Sequence, residues 1–358
     1  MKTVLTAALL LGCLGTAALR GQTAPSSSLL VLAKTDQTLA IVDPGTLKVL
    51  GRVPSGPDPH EVVVSGDGRT AYISNYNGGG NIISVVDLVG LKALPPIDLG
   101  PLRAPHGLAF VGGKLWFTAE GAKVIGSYDP ASAKIDWVLG TGQNRTHMIA
   151  VSDDLGRMVT SNVSSASMTI VERTAGRGRG GAGGPGGGPG AAPPGAGNRG
   201  RGPGGQGQGD WDETVVPVGR GAEGFDISPD GKEIWAANAQ DGTVSIVDLA
   251  TKKVTQTLAA NIPGANRLKF TPDGTLALIS TLSGPDVIII NAGTRREVKR
   301  LPVGRGAAGI QMQPDGVRAY VACTPDNTVA VIDLKSLEVV GRIDAGAQPD
   351  GLAWAIRR

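Results

Sequence analysis

The sequence predicts an all-β protein, a seven-bladed β-propeller of four-stranded antiparallel blades closed by pairing of its N- and C-terminal strands. Three observations predict it. An apolar run ending in an acidic or amide residue recurs seven times; turn residues recur at fixed offsets from that run; and the two chain ends carry complementary fractions of one unit.

The run reads Ala40-Ile41-Val42-Asp43, Ser84-Val85-Val86-Asp87, Ser245-Ile246-Val247-Asp248 and Ala330-Val331-Ile332-Asp333, with degenerate copies at Ser127-Tyr128-Asp129, Thr169-Ile170-Val171-Glu172 and Ile289-Ile290-Asn291. Successive copies lie 44, 42, 43, 76, 43 and 42 residues apart. A constant period of this size, with four short strands in each unit, is the signature of propeller blades. Within a unit, an apolar first strand leads to an Asp-Gly turn, as at Asp67-Gly68, Pro229-Asp230-Gly231, Pro272-Asp273-Gly274 and Pro314-Asp315-Gly316. Pro and Asp preset such a turn and Gly takes its positive φ, so a hairpin follows. The second strand follows, as in Tyr72-Ile73-Ser74-Asn75, Val159-Thr160-Ser161-Asn162, Trp235-Ala236-Ala237-Asn238 and Tyr320-Val321-Ala322-Cys323. The recurring apolar run is the third strand. Alternating stretches such as Glu338-Val339-Val340-Gly341-Arg342-Ile343 are the fourth. The chain enters at Leu29-Leu30-Val31-Leu32, which aligns with a second strand, and leaves through Pro349-Asp350-Gly351-Leu352-Ala353-Trp354-Ala355, which aligns with a first. Joined, they complete one blade and close the ring, which removes the sheet edges an open array would expose.

The expected organisation is a signal peptide over 1–24, with a positive Lys2, an apolar stretch and small residues before the cleavage site, then a single propeller over 25–358. Leu10-Leu11-Gly12-Cys13 also has the form of a lipid-attachment box, a weaker alternative to simple cleavage. Either way the expected location is periplasmic or secreted, with no transmembrane span and a monomeric chain. The step of 76 residues holds an insertion over 174–209, expected as a disordered loop between the third and fourth strands of blade four: 18 of the 37 residues in 173–209 are Gly, too little apolar surface to offset the entropy of ordering. Without the leader, Cys323 is the only cysteine, so no internal disulfide is expected. The formal charge of +3 becomes −4 once Lys2, Arg20 and the five arginines of 173–209 are set aside, a poor footprint for nucleic acid.

Superposing the units yields the candidate site. Seven residues before the turn position stand His60, His106, His147, Glu223, Asn266 and Ala308, and the closing copy places Asp350 there. All three histidines of the chain thus share one repeat position in consecutive blades, at the start of the innermost strand, where a propeller opens its axial channel. Three neutral imidazoles suit a transition metal such as Cu, Zn or Fe, and Glu223 or Asp350 could act as a general base. Arg103, Arg145, Arg267, Arg220 and Arg305 flank the same position; with Asn266, Arg103, Arg145 and Arg267 make a candidate set for binding a small anion. Metal binding, a metal-free ligand pocket and purely structural use all remain open. No Gly-x-Ser-x-Gly, Cys-x-x-Cys, His-Glu-x-x-His or Walker sequence is present.

The Pro-Asp-Gly turn, the Tyr72-Ile73-Ser74-Asn75 type of strand and the Val-Ile-Asp run together resemble the YVTN-type β-propeller repeat, across residues 29–356 apart from the Gly-rich insertion. The resemblance implies an exported bacterial propeller. Related propellers include lactonases, quinoprotein subunits and the propellers of haem d1 and copper denitrification enzymes; repeat motifs are structural, so none of those activities follows from them alone. The function expected is a ligand- or protein-binding module acting through the channel mouth. The alternative is a metal-dependent enzyme, lactonase-like or oxidoreductase-associated, using the three-His mouth.

Overall fold

The computed structural model describes residues 26–76, 79–174 and 210–358. The expected signal peptide, the lipid-attachment box at Cys13 and the Gly-rich insertion lie outside the described residues. Seven four-stranded antiparallel sheets form the ring. Blade one is composite: Pro349–Ile356 pairs with Ser27–Ala33, which continues to Thr38–Val42 and Val49–Pro54. The closing register runs from Ser27 opposite Ile356 to Val31 opposite Leu352. Blades two to seven then follow in order, their innermost strands being Pro59–Val64, Pro105–Val111, Thr146–Val151, Ala222–Ile227, Ala265–Phe270 and Ala307–Met312. In blade four, Ser167–Arg173 pairs with Trp211–Pro217 across the undescribed segment.

Burial explains the residue pattern of each strand. Second strands lie between neighbouring blades and are buried on both faces, so Thr70–Asn75 and Glu233–Asn238 read as nearly continuous apolar or small residues. Fourth strands form the outer wall and alternate; Lys134–Gly140 is exposed at every second residue. The core is therefore a ring of apolar layers between blades. Leu278, Val287, Val321 and Ile332 share one layer. Leu29, Val31, Tyr320 and Val331 share another, which seals the composite blade by packing as well as by hydrogen bonds. Cys323 is a buried free thiol in this core, its pKa raised by burial. Among the described residues no helix is long and apolar enough to cross a membrane.

One irregularity recurs in every blade and decides where the site lies. Pairing between first and second strands slips by one residue near the start of the first strand, between Pro59 and Val62, Pro105 and Leu108, Thr146 and Ile149, and at the equivalent places in the other blades. An extra residue on one strand bends it and re-aims its side chains. His60, His106 and His147 fall inside these slips. Just before them the chain takes a left-handed conformation, at Asp58 (φ 43°), Ala104 (φ 55°) and Arg145 (φ 53°), where blades five to seven use Gly221, Gly264 and Gly306.

Candidate functional site

The second strands also tie the site residues down. In blade three, Thr118 Oγ1 accepts the Gly107 N–H (2.9 Å) and donates to the His147 carbonyl of blade four (2.5 Å). Ser161 repeats this, accepting from Met148 N and donating to the Glu223 carbonyl (2.6 Å), and Ser280 donates to the Ala308 carbonyl (2.7 Å). Each hydroxyl thus fixes the backbone of the site residue in the next blade. The residue after the site position is Gly in four blades because neighbouring first strands nearly touch there: a Cβ on Gly107 would come within 2.4 Å of the His147 carbonyl oxygen.

The channel mouth holds a cavity of about 420 Å³. His60, His106, His147, Glu223, Asn266, Arg267, Ala308 and Asp350 line it from the predicted repeat position or the residue beside it, together with Lys34, Tyr76, Arg145 and Leu282. Arg145 and Arg267 are thus brought to the cavity. Arg103 is exposed and away from its lining, while Arg220 and Arg305 pair on the surface with Asp241 and Asp326. One residue further along their strands, Glu61 of blade two and Arg267 of blade six form an ion pair that spans the channel beneath the mouth.

The three imidazoles stand in a row. His60 and His106 have ring centroids 4.7 Å apart, and His106 stacks on His147 at 3.7 Å. Their environments differ sharply. His60 Nδ1 accepts a bond from Lys34 Nζ (2.7 Å), and that ammonium also lies 3.1 Å from Asp58 and 3.2 Å from Asp350. His106 is buried, and its Nδ1 has no hydrogen-bond partner among the described residues. Burial, followed by the neighbouring His147 and His60, pushes its pKa well below the ordinary value and keeps the ring neutral. His147 is equally buried but bridges two carboxylates, Nδ1 to Glu120 Oε1 (2.5 Å) and Nε2 to Glu223 Oε2 (2.8 Å). Burial opposes its charge, yet these two bonds outweigh burial and raise its pKa. Glu223 answers in kind: despite burial, the bond to His147 brings it down to about 2. Glu120 Oε2 also accepts the Tyr76 hydroxyl (2.6 Å), and burial together with that carboxylate pushes Tyr76 up to about 12. Arg145 sits between the two acids, 3.5 Å from Glu120 and 3.7 Å from Glu223.

Lys34, Tyr76 and Glu120 escaped the sequence reading, although a signal for them was present. Each directly follows the last residue of a second strand, a repeat position occupied in the other blades by Val163, Ala239, Leu282 and Thr324. The superposition that aligned the histidines aligns these too. The cavity is consequently two-sided. Titratable and aromatic groups crowd blades one to five, while Leu282, Gly306, Ala308 and Pro325 give blades six and seven an apolar portion beside Asn266 and Arg267.

No protein-family model matches the sequence, and no curated protein matches it either. Solved structures do. A functionally unknown protein from Desulfotomaculum acetoxidans superposes with a TM-score of 0.70 at 13% identity, covering 92% of this chain and 99% of that one. A Bacteroides fragilis protein bearing the provisional name 6-phosphogluconolactonase superposes at 0.69 and 16% identity, over 93% and 99% of the two chains. The dihydro-haem d1 dehydrogenase NirN superposes at 0.63 and 16% identity, over 93% of this chain and 76% of that one. At these identities the likeness is one of fold.

Proposed function

We propose that this chain is an exported propeller of the YVTN type that binds a small molecule in its channel mouth. The observation that carries this reading is the cavity itself: a concave site where hydrogen-bonding and charged side chains from all seven blades converge on one volume, beside an ion pair that spans the channel. Both lining arginines already have carboxylate partners, Arg145 beside Glu120 and Glu223, and Arg267 on Glu61. That balance favours a ligand carrying donors and acceptors together over a simple anion, with an apolar portion for Leu282 and Pro325. The hydrolase and oxidoreductase names among the structural neighbours belong to those proteins and lend no substrate.

A thermal-shift screen of small polar metabolites against the mature protein tests the proposal, with Leu282→Trp as the occluded control; Leu282 is 54% exposed and tolerates a larger side chain. Stabilisation of the wild type that is lost in Leu282→Trp supports a ligand mouth. Stabilisation equal in both proteins, or none across the screen, argues against one.

A further inference from the structure

We propose that His106, Glu120 and His147 form a binding site for one divalent first-row transition-metal ion, set in the wall of the cavity. It stands apart from the ligand reading above and differs from the three-His set read from the sequence. One potential ligand atom from each of the three residues lies within 4.8 Å of the others, and all three residues are buried. Two imidazoles and one carboxylate, with further positions open, are a donor set used by zinc and non-haem iron.

Three observations favour this set. First, His106 Nδ1 is a buried polar atom with no partner among the described residues, and such atoms are costly to leave unsatisfied. Second, the surrounding bonds already have the pattern that orients metal ligands. Glu223 holds His147 Nε2 at 2.8 Å, leaving Nδ1 directed at Glu120, and Tyr76 holds the other Glu120 oxygen at 2.6 Å. A carboxylate behind a ligating histidine and a hydroxyl behind a ligating carboxylate fix ligand geometry and basicity. An ion between His147 Nδ1 and Glu120 takes the place of the proton they share and leaves both outer bonds intact. Third, His60 is otherwise engaged: its Nδ1 lone pair accepts a bond from the Lys34 ammonium at 2.7 Å. Ligand bonds near 2.0–2.2 Å require donor atoms roughly 3 Å apart. Binding therefore widens the short His147–Glu120 contact and draws His106 inward. Because His106 and His147 line the cavity, an open coordination position there would meet whatever the mouth binds.

The test uses mature protein purified without a metal-affinity column, exposed separately to Zn²⁺, Cu²⁺ and, anaerobically, Fe²⁺, then dialysed and assayed for metal. The expected result is near-stoichiometric retention of at least one ion. His106→Ala and Glu120→Gln should abolish retention, His60→Ala should leave it intact, and Glu223→Gln should weaken affinity by about 10- to 100-fold. The spectrum of the Cu²⁺ protein gives an answer independent of variant folding: coupling to two nitrogens supports the site, whereas three-nitrogen coupling restores the three-His set. Absence of retained metal in folded wild type, or loss in His60→Ala with retention in Glu120→Gln, overturns the proposal. None of these results depends on an organic ligand being found, so the two proposals fail separately.

Discussion

The two sides of the channel mouth are built on the same backbone and differ in almost every side chain. Blades two, three and four place His60, His106 and His147 at the start of their first strands, where blades six and seven place Asn266 and Ala308. After the second strand, blades one to three present Lys34, Tyr76 and Glu120, where blade six presents the exposed Leu282. The left-handed residue two positions before the site is Gln348, Asp58, Ala104 or Arg145 in blades one to four and Gly in blades five to seven. Left-handed conformation costs a non-Gly residue about 1–2 kcal/mol, a strain Gly avoids. Ala104 shows that the position itself imposes the conformation. Asp58 and Arg145 show it being kept where the side chain joins the ionic network of the mouth. Hydrogen-bonded hydroxyls and close strand approaches hold the frame on both sides, so chemistry can gather on one arc without cost to closure.

The two arcs are joined through Arg267 and Glu61, and breaking that link should have the largest effect. Arg267→Met leaves Glu61, whose side chain is only 14% exposed, as a charge without its partner and should cost about 3–5 kcal/mol. Urea denaturation checks this, and adding Glu61→Leu should recover much of the loss. The shared frame comes next. A Cβ at Gly107 on the chemical arc meets the His147 carbonyl at 2.4 Å, and one at Gly309 on the opposite arc meets the Asp350 carbonyl at 2.2 Å. Both Gly→Ala variants should lose about 1–3 kcal/mol, and a large loss in only one would refute the common frame.

A smaller effect separates the arcs by pH. His60, with Lys34, holds the Asp58 carboxyl well below its usual range. A depressed carboxyl contributes stability above its unfolded pKa of about 3.9, and loses it as pH falls toward the native value. Wild type should therefore melt above Asp58→Asn at neutral pH, with the gap closing below about pH 4; a constant gap would argue against the ionic role. The smallest expected change is a gain. Ala104→Gly relieves a strained φ without removing a site group and should stabilise the protein by up to about 1 kcal/mol, visible as a slightly higher melting temperature.

Much of this was legible in the sequence. The period of the Val-Asp runs and the complementary ends read directly as seven blades and a composite first sheet, because every blade repeats the same local turn chemistry. The histidine position was legible for the same reason: superposed repeats share a backbone environment. Tyr76 and Glu120 were equally accessible to that superposition, but their residue types vary from blade to blade, so no single letter marked the position. Arg103 shows the limit of proximity along the chain. It lies three residues before His106, yet it is exposed and does not line the cavity.

By itself, then, the sequence determined the blade count, the route of closure and which repeat position faces the mouth, since these follow from local strand and turn preferences repeated along the chain. Only the tertiary structure decided that Arg267 meets Glu61 across the axis, that Glu120 rather than His60 completes the cluster around His147, and that His106 keeps a nitrogen unpartnered among the described residues. Those meetings depend on how side chains from separate blades converge around one axis, and a period along the chain carries no information about distance across it.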